Sequence, residues 1–136
     1  MFLGEYVSKF TGKGRIILPK KLRVEVLGDE IILSKGFERC VWGFTREGFG
    51  IEAKRQLEMS ATEEKARNLK RYIFSSSEAV ELDSQNRFVI SENLLNYARL
   101  KVEVVIIGAG DHFEIWDMKA WKKQLKKIEE EYARVS

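Results

Sequence analysis

Thr11-Gly-Lys-Gly-Arg-Ile-Ile-Leu-Pro19 is answered 72 residues later by Asp83-Ser-Gln-Asn-Arg-Phe-Val-Ile-Ser91. Each copy has a polar turn, an arginine, three apolar residues and a stop residue, then a short amphipathic segment. Leu22 returns as Leu94 at the same spacing. Glu30-Ile-Ile-Leu33 returns as Glu103-Val-Val-Ile106 at 73, and Val41-Trp42 finds its best match in Ile115-Trp116 at 74. Spacings that grow by single residues indicate small loop insertions between equivalent elements. Two copies are too few for a solenoid, so the chain reads as an internal two-fold duplication.

Working outward from the motif, Glu5 to Phe10 alternates in the manner of a strand, and Thr11 to Gly14 is turn chemistry. Arg15 to Leu18 is a second strand, which predicts a β-hairpin with the first. Pro19 opens a short helix over Lys20 to Leu27, with Leu22, Val26 and Leu27 inward. Glu30 to Ser34 and Arg39 to Phe44 follow as strands. Thr45 caps a helix over Arg46 to Glu58, and Ser60-Ala-Thr-Glu63 has the form of a capping box for the next. Ser75-Ser-Ser77 reads as a linker. The second half repeats the order, with strands at Ala79–Leu82, Arg87–Ile90, Val102–Ile107 and His112–Trp116. Ser91 caps a helix through Tyr97, and Asp117 caps a terminal helix with Trp121, Leu125, Ile128 and Tyr132 on one stripe. The expectation is an α+β fold of two β-β-α-β-β halves with flanking helices, divided as residues 1–75 and 76–136. A half of this size buries too little apolar surface to stand alone, so each half is expected to complete the other's core.

The 136 residues carry a net charge of +3, which hides an asymmetry. Residues 1–75 are net +5 and residues 76–136 net −2. From Tyr6 to Val24 there are Lys9, Lys13, Arg15, Lys20, Lys21 and Arg23 and no acid. A one-signed patch around a turn attracts polyanions, although such runs are as often simply solvated. Cys40 is the single cysteine, so no internal disulfide forms, and a reducing cytoplasm is expected. No apolar run approaches the roughly 20 residues of a membrane span, and no signal peptide is read. His112 is the single histidine, which excludes histidine-based metal clusters and catalytic triads. No cofactor, metal site or enzymatic constellation is expected. Cys40 reads as a buried thiol, Gly108-Ala-Gly110 as a hairpin turn, and Trp42, Trp116 and Trp121 as core or subunit-contact residues.

With these motifs in view, the chain resembles the MraZ family of bacterial transcriptional regulators, related to AbrB. The resemblance covers nearly the whole chain. It is carried by Met1-Phe-Leu-Gly-Glu-Tyr6, Lys13-Gly-Arg-Ile-Ile-Leu-Pro19 and Ile106-Ile-Gly-Ala-Gly-Asp-His-Phe-Glu-Ile-Trp116. Members carry two Asp-x-x-x-Arg motifs. The second stands here as Asp83-Ser-Gln-Asn-Arg87, whereas Thr11 replaces the acid before Arg15. Either a hydroxyl or another acid orients Arg15, or the first loop is looser. The resemblance implies an intrachain swapped-hairpin barrel of the AbrB type and ring-shaped homo-oligomers. It also implies binding to short direct repeats upstream of the division and cell-wall gene cluster, in the cytoplasm on the nucleoid.

From the residues themselves, arginine matches the O6 and N7 acceptors of guanine, and a β-hairpin is narrow enough for the major groove. Arg15 with Lys13 is the expected base-reading pair, and Lys9, Lys20, Lys21 and Arg23 are expected on phosphates. Several copies in a ring would strengthen a weak single grip. Arg87, four residues after Asp83, reads first as a structural ion pair and second as a DNA contact. The rival expectation is a protein-interaction scaffold or antitoxin-like partner whose basic patch meets an acidic protein.

Overall fold

The computed structural model describes residues 1–58 and 61–135. Strands β1 (Glu5–Lys9) and β2 (Arg15–Ile17), helix α1 (Lys20–Arg23), strands β3 (Glu30–Lys35) and β4 (Val41–Thr45), and helices α2 (Arg46–Leu57) and α3 (Glu64–Ser76) come from the first copy. Strands β5 (Glu78–Glu81) and β6 (Arg87–Val89), helix α4 (Glu92–Tyr97), strands β7 (Glu103–Gly108) and β8 (Phe113–Asp117), and helix α5 (Met118–Val135) come from the second. The architecture is α+β, and the order of elements is the duplicated one read from the sequence.

The pairing is not. β1 and β2 do not form a hairpin. β1 lies antiparallel to β7 of the other half, with Glu5 opposite Ile107 and Lys9 opposite Glu103. Reciprocally, β5 lies antiparallel to β3, with Glu81 opposite Glu30. The large sheet runs β1-β7-β8-β4-β3-β5, and β2 and β6 form a separate two-stranded ribbon. Alternation along a strand fixes which side chains face inward but leaves open which neighbour completes the ladder. Here each half lends its first strand to the other.

The order reads the same from either end once the copies are exchanged, so a pseudo-two-fold axis relates the halves. It passes between Ile16 and Phe88 in the ribbon and between Trp42 and Glu114 in the sheet, both pairs 72 residues apart. The resemblance of Val41-Trp42 to Ile115-Trp116 is therefore not the structural equivalence. Trp42 corresponds to Glu114, and Gly43 packs against Phe113 so closely that a Cβ would overlap its ring.

Ribbon and sheet enclose one core from both halves, with Ile16, Leu18, Leu22 and Leu33 packed with Phe88, Ile90, Leu94 and Ile106. A smaller cluster of Val105, Trp116 and Trp121 lies beneath α5. α1 is shorter than read, and Leu27 points outward at 87% exposure. Ser91 accepts from Leu94 N, Thr45 from Gly48 N and Asp117 from Ala120 N, as their cap positions require. The Ser75–Ser77 stretch ends α3 instead of linking the halves. Ser76 and Ser77 donate to Ile73 O, and Ser76 Oγ accepts from Lys35 N. Glu63 sits at the N-cap of α3 without a side-chain bond, and Ser60 of the expected capping box lies outside the described residues.

Candidate nucleic-acid interface

The ribbon has an inner and an outer face because strand side chains alternate. Ile16 and Phe88 are buried beneath it. Arg15 and Ile17 on β2, and Arg87 and Val89 on β6, are on the other face. Arg15 stands opposite Val89 and Ile17 opposite Arg87. Ile17 and Val89 remain 44% and 48% exposed. Two arginines at equivalent positions thus flank two exposed aliphatic side chains. The backbone extends the ribbon symmetrically, with Ile90 N donating to Gly14 O and Leu18 N to Asn86 O, each at 2.8 Å.

Gly14 and Asn86 are themselves equivalent, and both adopt left-handed backbone with φ of 72° and 62°. A Cβ at Gly14 would meet Ile90 O, so the first turn takes glycine at its crossing, whereas the second carries Asn86 in the same left-handed backbone. Each turn is closed by the same bond. Thr11 N donates to Arg15 O and Asp83 N to Arg87 O, both at 2.9 Å.

The side chains of the two turns differ. Asp83 Oδ1 accepts from Gln85 N at 2.8 Å and Arg87 N at 2.9 Å, and Oδ2 accepts from Arg87 Nε at 2.8 Å. The backbone amide of Arg87, with its guanidinium and the Gln85 amide, holds the Asp83 carboxyl below the usual carboxylate range. In the first turn Thr11 Oγ1 reaches only Arg15 O, at 3.5 Å. Among the described residues no acid pairs with Arg15, so the missing carboxylate has no replacement.

Lys13, Lys20 and Lys21 are exposed on the turn and on α1, next to β2. Lys9 lines a separate groove with Lys101, Val102, Glu103, Asp117, Met118 and Lys119. Arg23 is not free. Its Nε donates to Asn86 Oδ1 at 3.0 Å, Nη1 to Val26 O at 2.9 Å and Nη2 to Asp29 Oδ1 at 3.1 Å, with its side chain 23% exposed. Glu81 and Asp83 border the hollow of about 400 Å³ beside Arg15, Arg87 and Val89. The positive field therefore belongs to the first-half side of the ribbon.

Such a surface offers guanidinium donors for base edges, aliphatic groups for thymine methyls and ammonium groups for phosphates. The partnership of Arg23 with Asn86, 63 residues away, left no mark in the sequence. Ile17 and Val89 could have been found from alternation once the ribbon was known.

Among the described residues no group of three or more His, Cys, Asp and Glu is placed to hold a metal ion. No helix there is long and apolar enough to cross a membrane. His112 bridges Asp111 Oδ1 at 2.7 Å and Glu114 Oε2 at 2.8 Å, and Cys40 is buried.

The family model for the MraZ protein, described as antitoxin-like, matches residues 1–72 and again residues 73–135. Three similar proteins are each named transcriptional regulator MraZ. That of Mycoplasmoides gallisepticum is 41% identical over 123 residues, covering 90% of this chain and 86% of its own. That of Halothermothrix orenii is 37% identical over all 136 residues and 94% of its own length. That of Limosilactobacillus fermentum is 36% identical over 121 residues, covering 89% of this chain and 84% of its own.

Proposed function

The chain belongs to the MraZ family, and from that premise we propose that it regulates transcription by sequence-specific binding of double-stranded DNA. The binding surface is the outer face of the β2–β6 ribbon. The observation that carries this reading is the placement of Arg15 and Arg87 at equivalent, outward positions on a ribbon narrow enough for the major groove.

Arg15 and Lys13 contact bases. Lys20 and Lys21 hold phosphates beside them, and Lys9 is an outlying phosphate contact. Arg23 supports the interface from within instead of meeting phosphate, because all of its bonds are internal. The reciprocal exchange of β1 and β5 supports the swapped-hairpin barrel of the AbrB type. One ribbon spans too few bases for tight selection, so the protein acts as a ring-shaped oligomer on short direct repeats, where each later contact is intramolecular. The repeats lie upstream of the division and cell-wall gene cluster, and the protein works in the cytoplasm on the nucleoid. It is a regulator and not an enzyme.

Selection of bound fragments from a genomic DNA library tests target and spacing together. Enrichment of one upstream region bearing regularly spaced repeats is the expected result. Recovery without enrichment would refute sequence-specific binding.

A second reading, a partner protein in antitoxin fashion, draws on a groove of about 630 Å³ floored by Phe2, Phe44, Ile51 and Ala109. A pull-down that yields protein and no nucleic acid favours it.

A further inference from the structure

The two turns of the ribbon share a closing bond and a left-handed residue before the arginine, but Arg15 N donates to Gly12 O where Arg87 N donates to the Asp83 carboxylate, so they are braced by different chemistry. In the second turn Asp83 binds Arg87 Nε and two amides, while Asn86 Oδ1 accepts from Arg23 of the opposite half. In the first turn Thr11 stands where Asp83 does and Gly14 where Asn86 does. Leu95, 72 residues after Arg23, approaches Gly14 with a methyl group that can make no hydrogen bond. Asp83 holds Arg87 and Arg23 holds the turn beside it, whereas Arg15 and its turn have neither bond.

Resting on the DNA-binding reading above, we propose that Arg23, Asp83 and Asn86 are positioning residues that fix Arg87 as a rigid base reader, while Arg15 remains an adaptable one. The ribbon then discriminates bases steeply on the Arg87 side of its target and shallowly on the Arg15 side. Asp83 engages only Nε of Arg87, which leaves the terminal amino groups for a base edge. A side chain already ordered loses little freedom on binding, and it cannot swing to another acceptor when the base is wrong. The wrong base therefore leaves donors unpaired. Arg15 can re-aim to a neighbouring base or phosphate, so a substitution there is absorbed. Arg23, expected from its charge to meet phosphate, acts through the turn it pins.

The test uses the full chain and duplexes carrying every single-base substitution of the selected target. Arg15→Ala and Arg87→Ala first assign which positions each arginine reads. For the unsubstituted protein we expect a wrong base under Arg87 to cost on the order of 10-fold or more in affinity. The loss under Arg15 is smaller. Thr11→Asp gives the first turn its missing carboxylate, within reach of the Arg15 amide as Asp83 is of the Arg87 amide. It raises discrimination at the Arg15 positions by about 3- to 10-fold, the range expected for removing one side-chain ordering cost. Asp83→Thr with Asn86→Gly makes the second turn resemble the first and lowers discrimination at the Arg87 positions by a similar factor. Asn86→Gly alone, which keeps left-handed backbone, gives a partial loss of the same sign and serves if the double variant fails to fold. A merely structural role would lower every affinity together and leave the ratio between right and wrong bases unchanged, which overturns the proposal. So does equal steepness under both arginines in the unsubstituted protein. Absence of binding to any duplex by that protein refutes the DNA reading itself.

Discussion

Arg23 Nε donates to Asn86 Oδ1 at 3.0 Å, so a residue of the first copy holds the turn of the second. The same residue closes on its own half through Val26 O and Asp29. Where Gly14 crosses Ile90 the exchange is repeated with backbone bonds alone. The ribbon and the core thus share a seam between the copies, although each turn is closed by a bond of its own.

Separating the copies tests this interdependence. A chain of residues 1–72 has lost the strand that covers β3 and the partner of β2. As a monomer it should show no cooperative melting, and any folded material should be a dimer in which two copies replace the missing half. A folded monomer by sedimentation and thermal scan contradicts the reciprocal pairing.

Phe88 lies on the pseudo-two-fold axis opposite Ile16, with both side chains buried. Phe88→Ala should lower the unfolding free energy by about 3–5 kcal/mol through lost burial and the cavity left behind. Chemical denaturation measures it. A loss well below about 1 kcal/mol is the contrary result and would mean that this core is not continuous across the halves.

His112 offers both ring nitrogens to carboxylates, and only the imidazolium can donate to both. Burial opposes the charge, but the bonds to Glu114 and Asp111 outweigh it and raise the pKa above the usual imidazole value. The stabilisation is complete below the ordinary value and is lost as pH rises through the raised one. Burial likewise opposes the Glu114 carboxylate, and its bonds to His112 and Trp116 prevail, so its pKa is lowered. That contribution is present above the ordinary carboxylate value and is lost as pH falls through the lowered one. Stability from this pair should therefore be greatest between roughly pH 5 and 6.5. The melting temperature should decline above that window, and His112→Gln should remove the slope. Parallel profiles of the two proteins would be the opposing outcome.

Much of this fold is legible in the sequence, because turns, β-branched runs and helix caps are local signals. Ser91, Thr45 and Asp117 cap helices where their side chains predict. The partner of a strand is not local, and the expected β1–β2 hairpin gives way to β1 with β7. Similarity of side chains also misaligned the copies at Trp42, because Trp116 stands opposite Val105 as Phe44 stands opposite Ile32, so the equivalent of Trp116 is Phe44 and not Trp42. At the interface, the pair of Asp83 with Arg87 follows from a spacing of four residues within one turn. The engagement of Arg23 depends on a residue from the other copy, which no spacing reveals.

Phosphate binding should appear in the salt dependence of affinity. Replacing Lys20 or Lys21 by Gln should weaken all duplexes alike and reduce the slope of log K against log salt by about 1 for each phosphate no longer neutralised. The slope is read from titrations across salt concentrations. A variant that changes base preference and leaves the slope intact would place that lysine on a base.

The most direct measurement is a gel-shift titration of Arg15→Ala against the selected target, with thermal melting recorded on the same preparation. Arg15 is exposed and makes no ion pair among the described residues, so its removal should leave melting unchanged while affinity for the selected target falls by about 10-fold or more and preference at the positions it reads is lost. Retained affinity and preference for the target, with melting equally unchanged, would mean that DNA is read elsewhere than on the outer face of this ribbon.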